Sequence, residues 1–595
     1  MRIQGKWRFR LFLSALAILP LANGATAQQL TPALKDQLKA AIAIEQQIPP
    51  AQRRLFSGAL ESWLEFGHSV FDPPQQDLND DGPPPLGGHQ SATMPLRAPS
   101  SFVATKKDLG PVAQVSNLSL DLLFSRVAGF TQSTTSTAWC GRNVVVGFND
   151  STAALDSTVM SEISGSHTVP SSQLGVSFSG DNGRTFTDLG FLEPGPWPND
   201  MLGNPSLACS SPNRFYYATA PFFTANLDLS NQRSLVGINI SEDGGRHWSV
   251  PILAVNKDLN FHILDKEWLA IDRNNPDQLY FTYTDIDTEG SNGVPTARCP
   301  NFSRIAIELV KSMDGGHTWS APSVVREDCI IVDPITQTFT GHVAAGSQVA
   351  IGPDGSVSTS YLLFAATDGS EQIMFRRSSD RGATFDPEVT VSDVIPGGIG
   401  GFLQGFFFDN GFHAMTVDNS HGEGRGTIYI AWSDGRDNSQ IEVIAANGKY
   451  AFADILLSKS TDHGRTWSTP APVSPTDPNF AGVGRDQFQP GVAVDAEGTL
   501  AVCYSDRRND PQNNLIDHYC SVSQNQGATF QDLRQTTSSW NPGHAADELT
   551  AQEYLGDYDT VTAESTGQQK GFFSSFQVET DFMSNVQGRS FSRAH

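Results

Sequence analysis

Four segments of this chain end an apolar run in an aromatic residue, one spacer and an aspartate: Phe148–Asp150, Tyr283–Asp285, Trp432–Asp434 and Tyr504–Asp506. Two of them continue into arginine, at Arg436 and at Arg507 and Arg508. Between such runs stand Asp265, Lys266 and Glu267, then Arg485 and Asp486, then Glu553, Tyr554, Asp557 and Tyr558. Paired carboxyl groups can divide one reaction between them: one protonates a leaving oxygen while the other activates water or attacks. On that chemistry the candidate catalytic residues are Asp285, Asp434, Asp506 and Tyr558. Arg436, Arg485, Arg507, Glu267 and Asp557 are candidates for holding an anionic or hydroxylated substrate. A plainer reading stands beside it, in which recurring aspartates cap strand ends or pair with a local arginine.

An internal repeat supplies the elements that must position these residues. Six octamers share the pattern Ser-x-Asp-x-Gly-x-Thr-aromatic, beginning at Ser179, Ser241, Ser312, Ser378, Ser460 and Ser523; the second has His247 for Thr, and the sixth has Asn525 for Asp. Their third positions lie 62 to 82 residues apart. The Asp or Asn side chain can accept backbone N–H bonds across a tight turn, with Gly at a positive-φ position and the aromatic anchoring the following strand. Apolar or alternating runs around each octamer read as four short antiparallel strands per period, the unit of a propeller blade.

First strands are expected at 135–140, 204–209, 266–272, 347–352, 413–418, 489–495 and 558–565, one more than the octamers. The fold expected is therefore all-β, a seven-bladed β-propeller of four-stranded antiparallel blades, with a six-bladed ring as the alternative. The segment 110–117 matches the fourth-strand pattern and is expected to complete the last blade, giving a propeller over 110–590. In an antiparallel blade the octamers lie on one rim, and the loops after second strands lie on the other. The candidate site residues belong to that second rim, around the channel mouth.

Ahead of the propeller, residues 1–27 have the form of a secretory signal, with four basic residues, an apolar run and Ala25-Thr26-Ala27. Helical spacing over 32–48 and 51–66 predicts a short helical hairpin within 28–71, and 72–109 reads as a Pro-rich linker. Asp77–Gly82 fits the opening of an EF-hand calcium loop, but three prolines follow and no Glu stands at the twelfth position, so a linker turn is expected. No cofactor and no metal site is expected. The 595 residues carry 39 basic and 64 acidic side chains, a formal net charge of -25 that argues against a nucleic-acid partner. A secreted or periplasmic protein follows, without a membrane span in the mature chain. Its six cysteines suit three disulfides, and pairing in sequence order is compatible with the blades.

The octamers resemble the Asp-box, or bacterial neuraminidase repeat, of sialidase-like β-propellers. The wider phrasing over roughly 110–590 resembles secreted bacterial proteins grouped with exo-α-sialidases. That resemblance implies a glycoside hydrolase acting on an extracellular glycan, with a non-catalytic glycan- or protein-binding module as the alternative. Sialidases have six blades, three arginines on the substrate carboxylate, a tyrosine nucleophile assisted by Glu, and an Asp acid/base. Here Arg436, Arg485 and Arg507 stand for the clamp and Tyr554 or Tyr558 for the phenol. The Arg-Ile-Pro signature is absent, its place reading TSTAWC.

Overall fold

A computed structural model describes residues 109–117, 131–150, 171–195, 199–201, 203–224, 233–332, 339–365, 370–395, 411–436, 452–474, 485–542, 555–580 and 583–592. The expected signal, helical hairpin, most of the linker and the calcium-like turn lie outside these residues. Among the described residues there is no helix long and apolar enough to cross a membrane.

Seven antiparallel sheets follow one another along the chain. Blade 1 is Gln132–Cys140, Asn143–Asp150, Leu174–Ser179 and Thr187–Phe191. Blade 2 is Ser206–Cys209, Phe215–Thr224, Arg233–Ser241 and Ile252–Asp258, extended by the short strands Ser171–Ser172 and Asn199–Met201. Blade 3 is His262–Ile271, Leu279–Asp287, Ser303–Ser312 and Ser323–Val332, with Phe339–Thr340 added at its outer edge. Blade 4 is His342–Ile351, Val357–Ala365, Glu371–Ser378 and Val389–Val394; blade 5 is Ala414–Val417, Ile428–Asp434, Asp454–Ser460 and Ala471–Pro472. Blade 6 is Gln487–Val494, Leu500–Asp506, Asp517–Ser523 and Gln531–Arg534. Blade 7 takes Val561–Ala563, Phe572–Thr580 and Met583–Phe591 from the C-terminal end and its outermost strand, Leu109–Gln114, from far upstream. The chain is thus a seven-bladed propeller, and the six-bladed alternative is set aside.

Apolar clusters fill the seven spaces between neighbouring blades, two of them lying between blades 6 and 7. One holds Val115, Trp139 and Val144 against Phe573 and Val586, which joins blade 1 to blade 7 and closes the ring. The others join blades 1 and 2, 2 and 3, 3 and 4, 4 and 5, 5 and 6, and 6 and 7 in turn. Burying both faces of every blade explains why the strands read as wholly apolar rather than alternating.

Each octamer joins a third strand to a fourth and contributes to these spaces. In the third, the Gly316 N–H donates to Ser312 Oγ (2.8 Å), the Thr318 N–H to Asp314 Oδ1 (2.9 Å) and the Thr318 hydroxyl to Asp314 Oδ2 (2.6 Å). The same bonds recur at Asp181, Asp380 and Asp462. The fifth-position glycine adopts a positive φ and lies against a side chain of the preceding blade. A Cβ on Gly464 would stand 1.9 Å from Phe375, and one on Gly183 would stand 2.4 Å from Phe573. The closing aromatic follows it in, Phe186 onto Phe573 and Trp467 onto Phe375.

The three disulfides are Cys140–Cys209, Cys299–Cys329 and Cys503–Cys520. The first links the inner strands of blades 1 and 2, the second ties the blade 3 loop to its outer strand, and the third joins neighbouring strands of blade 6.

Asp559 lies at the seam of blades 7 and 1, where the Thr135 hydroxyl donates to its Oδ1 (3.0 Å) and the Gln577 N–H to its Oδ2 (3.3 Å). Burial raises its pKa to about 7, against the lowering effect of those hydrogen bonds. The folded chain therefore holds this proton more tightly than the unfolded chain does. Its contribution to stability is full below about pH 4 and is lost as pH rises through about 7. Asp559→Asn should flatten the fall in urea-unfolding stability between pH 4.5 and 7.5; an unchanged slope would contradict this assignment.

Candidate functional site

The inner strands carry an irregularity that sets what faces the axis. Thr134, Asn204, Lys266, Gly346 and Gln489 all have positive φ, between 53° and 63° for four of them and 52° for Thr134. Asn204, Lys266, Gly346 and Gln489 each stand five residues before the residue paired with the start of the second strand, namely Cys209, Ile271, Ile351 and Val494, and Thr134 stands six before its counterpart Cys140. In blades 1, 3, 4 and 6 the register shifts at this place, so the inner strand bulges. A left-handed β-branched residue is costly, on the order of 1–3 kcal/mol, and persists only where surroundings hold it.

Those surroundings are the facing blades. Lys266 Nζ of blade 3 meets Asp557 Oδ2, just ahead of the inner strand of blade 7, at 2.8 Å, and lies 4.4 Å from the ring centre of Phe412 ahead of blade 5. Blades 3 and 7 are not neighbours in a ring of seven, so this ion pair spans the axis. The Asp557 N–H donates to Thr134 Oγ1 (2.9 Å), and Gln489 Nε2 donates to the Gly556 carbonyl (2.8 Å). Tyr558 stacks edge-on with Trp268 and donates its hydroxyl to the Pro205 carbonyl (2.7 Å). Glu267 is buried and accepts the Ala220 N–H (2.8 Å); burial pushes its carboxyl well above the ordinary range. Asp557 and Tyr558 therefore meet Lys266 and Trp268 of blade 3, while Glu267 is buried against the second strand of blade 2.

The aromatic-x-Asp residues lie at the ends of second strands. Ile428 and Leu500 open those strands opposite Ser460 and Ser523 of the octamers, and Asp434 and Asp506 close them at the far rim. Asp434 is fully buried in a fork with Arg436, Nε to Oδ1 at 2.9 Å and Nη2 to Oδ2 at 2.7 Å, and also accepts Trp432 Nε1 (2.8 Å). Asp506 is matched by Arg508 rather than Arg507, Nε to Oδ2 at 2.7 Å, and accepts Gln487 Nε2 (2.9 Å). Burial raises its pKa in spite of that partner. Arg507 is fully buried beside Asp486 (3.4 Å) and the Phe488 ring. Arg485 lies in the field of Asp510 and Asp486, and burial lowers its pKa. Among the described residues no hydrogen bond or ion pair joins Asp285, Asp434 and Asp506 to one another; each is held by its own partners.

Asp285 has a different setting, at the seam of blades 2 and 3. Its fully buried carboxylate accepts Lys257 Nζ (2.7 Å), Arg304 Nη1 (3.1 Å) and His262 Nδ1 (3.0 Å). Glu308 accepts the same Lys257 (2.7 Å), Arg304 Nη2 (2.9 Å) and the Tyr283 hydroxyl (2.7 Å). Glu327 accepts Arg304 Nε (2.7 Å) and Arg298 Nη2 (2.6 Å). Burial opposes ionisation of Asp285, but the His262 hydrogen bond and the Lys257 charge outweigh it and lower its pKa. Burial likewise disfavours charge on His262, and the bond and charge of Asp285 reverse that and raise its pKa. Burial raises Asp287, helped by the charges of Asp285 and Glu289.

His262, Asp287 and Glu289 adjoin this cluster, with Glu289 the most exposed of the three. One ligand-type atom from each lies within 4.8 Å of the others, with His262 Nε2 3.6 Å from Glu289 Oε1. The side chains are 12% exposed at His262, 5% at Asp287 and 31% at Glu289. The loop from Thr288 to Phe302 folds back on itself, the Asn301 N–H donating to the Gly290 carbonyl (3.1 Å), and Cys299–Cys329 tethers it. Among the sequence candidates only Asp285 belongs here. The signal for the others was the run Asp285-Ile286-Asp287-Thr288-Glu289, in which Asp285 and Asp287 alternate at the end of the strand Leu279–Asp287 and Glu289 stands in the turn that follows.

No protein-family model and no curated protein matches this chain. Solved structures do, at low identity. A protein of unknown function from Dyadobacter fermentans is 12% identical, with a TM-score of 0.38, covering 82% of this chain and 99% of its own. A Hadza microbial sialidase is 12% identical, TM-score 0.38, over 70% of this chain and 73% of its own. A polysaccharide lyase, an ulvan lyase, is 10% identical, TM-score 0.45, over 79% and 95%. These likenesses are distant, and the reactions named belong to those proteins.

Arg304 is the one cation that touches Asp285, Glu308 and Glu327 together. Arg304→Met should lower unfolding stability by about 3–5 kcal/mol, because it removes a buried cation shared by three carboxylates and leaves Lys257, among the described residues, as the one permanent charge on both Asp285 and Glu308. A urea midpoint within error of the parent would show that the cluster is not held this way.

Proposed function

We propose that this chain is a glycoside hydrolase acting on an extracellular glycan, working at the blade 2–blade 3 seam of the rim opposite the octamers. The observation that carries the reading is the His262–Asp285 pair. Buried Asp285 receives Nδ1 and leaves Nε2 turned towards Glu289 (3.6 Å), with the Asp287 carboxyl group beside them. Two carboxyl groups with an oriented imidazole beside them are a set that can protonate a glycosidic oxygen and activate water. Asp285 is then a positioning residue rather than the acid itself. In this reading Asp434, Asp506 and Tyr558 support the scaffold, as do Arg436, Arg485 and Arg507.

The octamers fit the Asp-box of sialidase-like propellers, and an export signal over 1–27 suits a substrate outside the cell. The three disulfides agree with an oxidising compartment.

A panel of sialosides, aryl glycosides and polysaccharides should reveal turnover by the purified protein. His262→Gln should then lower kcat about 100-fold or more, while Asp434→Asn should leave the rate per folded molecule within a few-fold. Binding without turnover across the panel would replace the hydrolase by a glycan-binding module, and full activity in His262→Gln would remove the site from this seam.

A further inference from the structure

We propose that His262, Asp287 and Glu289 bind a divalent transition-metal ion of the zinc class. The inference shares its location with the hydrolase reading but not its chemistry, and it can be tested without any substrate.

Spacing is the first support. Ligands about 2.1 Å from a tetrahedral zinc stand about 3.4 Å from one another. His262 Nε2 and Glu289 Oε1 are already 3.6 Å apart. One ligand-type atom each of His262, Asp287 and Glu289 lies within 4.8 Å of the other two, close to the spread that one ion needs.

Orientation is the second. A histidine that binds metal through one ring nitrogen commonly donates the other N–H to a carboxylate, which fixes the tautomer and raises ligand basicity. Asp285 accepts that bond from Nδ1 at 3.0 Å, so the lone pair of Nε2 points outward to the other donors. Asp285 is itself held by Lys257 and Arg304, which keeps the imidazole from turning.

Charge is the third. The cluster gathers five carboxylates, Asp285, Asp287, Glu289, Glu308 and Glu327, around three permanent cations, Lys257, Arg298 and Arg304. The excess of two negative charges equals the charge of one divalent ion. Asp287 is more than nine-tenths buried; its Oδ1 accepts the Glu289 N–H (2.8 Å), and the nearest cation to its Oδ2 is Arg304 Nη1 at 3.8 Å. That distance is an ion pair beyond hydrogen-bond range, which leaves Oδ2 with room for a closer partner.

One imidazole with two carboxylates suits zinc, manganese, cobalt or nickel better than calcium or magnesium, which take all-oxygen sites. Three protein donors leave at least one position for water, and the partly exposed Glu289 lies on the side from which it would enter. With the ion seated, Nε2 and the two carboxylates are committed to it, so the hydrolase reading applies to the ion-free seam and the bound ion would suppress that reaction.

The test is titration of the full-length, chelator-stripped protein with Zn2+ by calorimetry at pH 7. Reductant is omitted so that Cys503–Cys520 stays closed beside His518. One equivalent should bind, with Co2+ giving a visible spectrum of low-coordinate geometry. Glu289→Gln, at the most exposed of the three ligands, and His262→Gln should each weaken binding at least 100-fold. Asp285→Asn should weaken it about 10–100-fold, and Asp434→Asn should leave it unchanged. Absence of stoichiometric binding, equal affinity for Ca2+, or full affinity in folded Glu289→Gln would each overturn the proposal.

Discussion

Closure of the ring by a strand from the other end of the described chain is the constraint on which the remainder depends. Leu109–Gln114 hydrogen-bonds along Met583–Phe591, and Val115 packs with Trp139, Phe573 and Val586. Without it blade 7 would present an unpaired edge, and blade 1 would lose a neighbour. Six interfaces between consecutive blades can form by local folding, but the seventh requires contacts spanning more than 400 residues. A buried hydroxyl ladder, Thr135 and Thr137 with Ser575, reinforces that seam, and Asp559 joins it. Only a closed ring brings Lys266 within reach of Asp557 across the axis.

Much of this architecture was legible because one turn chemistry is written six times. Ser, Asp, Gly and an aromatic at fixed spacing can satisfy one hairpin and one blade interface at once. Apolar runs between octamers then gave the strand count, including a seventh blade that has no octamer. The inner strands extend further upstream than the apolar pattern suggested in blades 1, 3 and 4, reaching Gln132, His262 and His342. There the backbone bulges, and polar residues such as Thr134 and Lys266 continue the strand with a left-handed step. No alternation rule marks that step, because four of its five positions are not glycine.

The candidate site was legible only in part, for a related reason. Aspartates at strand ends are visible as local patterns, and Asp434 with Arg436 shows what two-residue spacing does: both side chains leave the strand end together. The same spacing pairs Asp506 with Arg508 and turns Arg507 inward to Asp486. The partners of Asp285 obey no such local rule. Lys257 comes from the outer strand of blade 2, His262 from the inner strand of blade 3, and Arg304 from the third strand of blade 3. Only the packing of two blades brings them to one carboxylate.

Amide hydrogen exchange resolved along the chain tests the closure most directly. Amides of Leu109–Gln114 and Met583–Phe591 should exchange as slowly as those of the central strands of blade 6, and residues after Gln114 should protect with them. Exchange of Leu109–Gln114 within seconds, beside a protected blade 6, would mean that the ring is not closed by this strand.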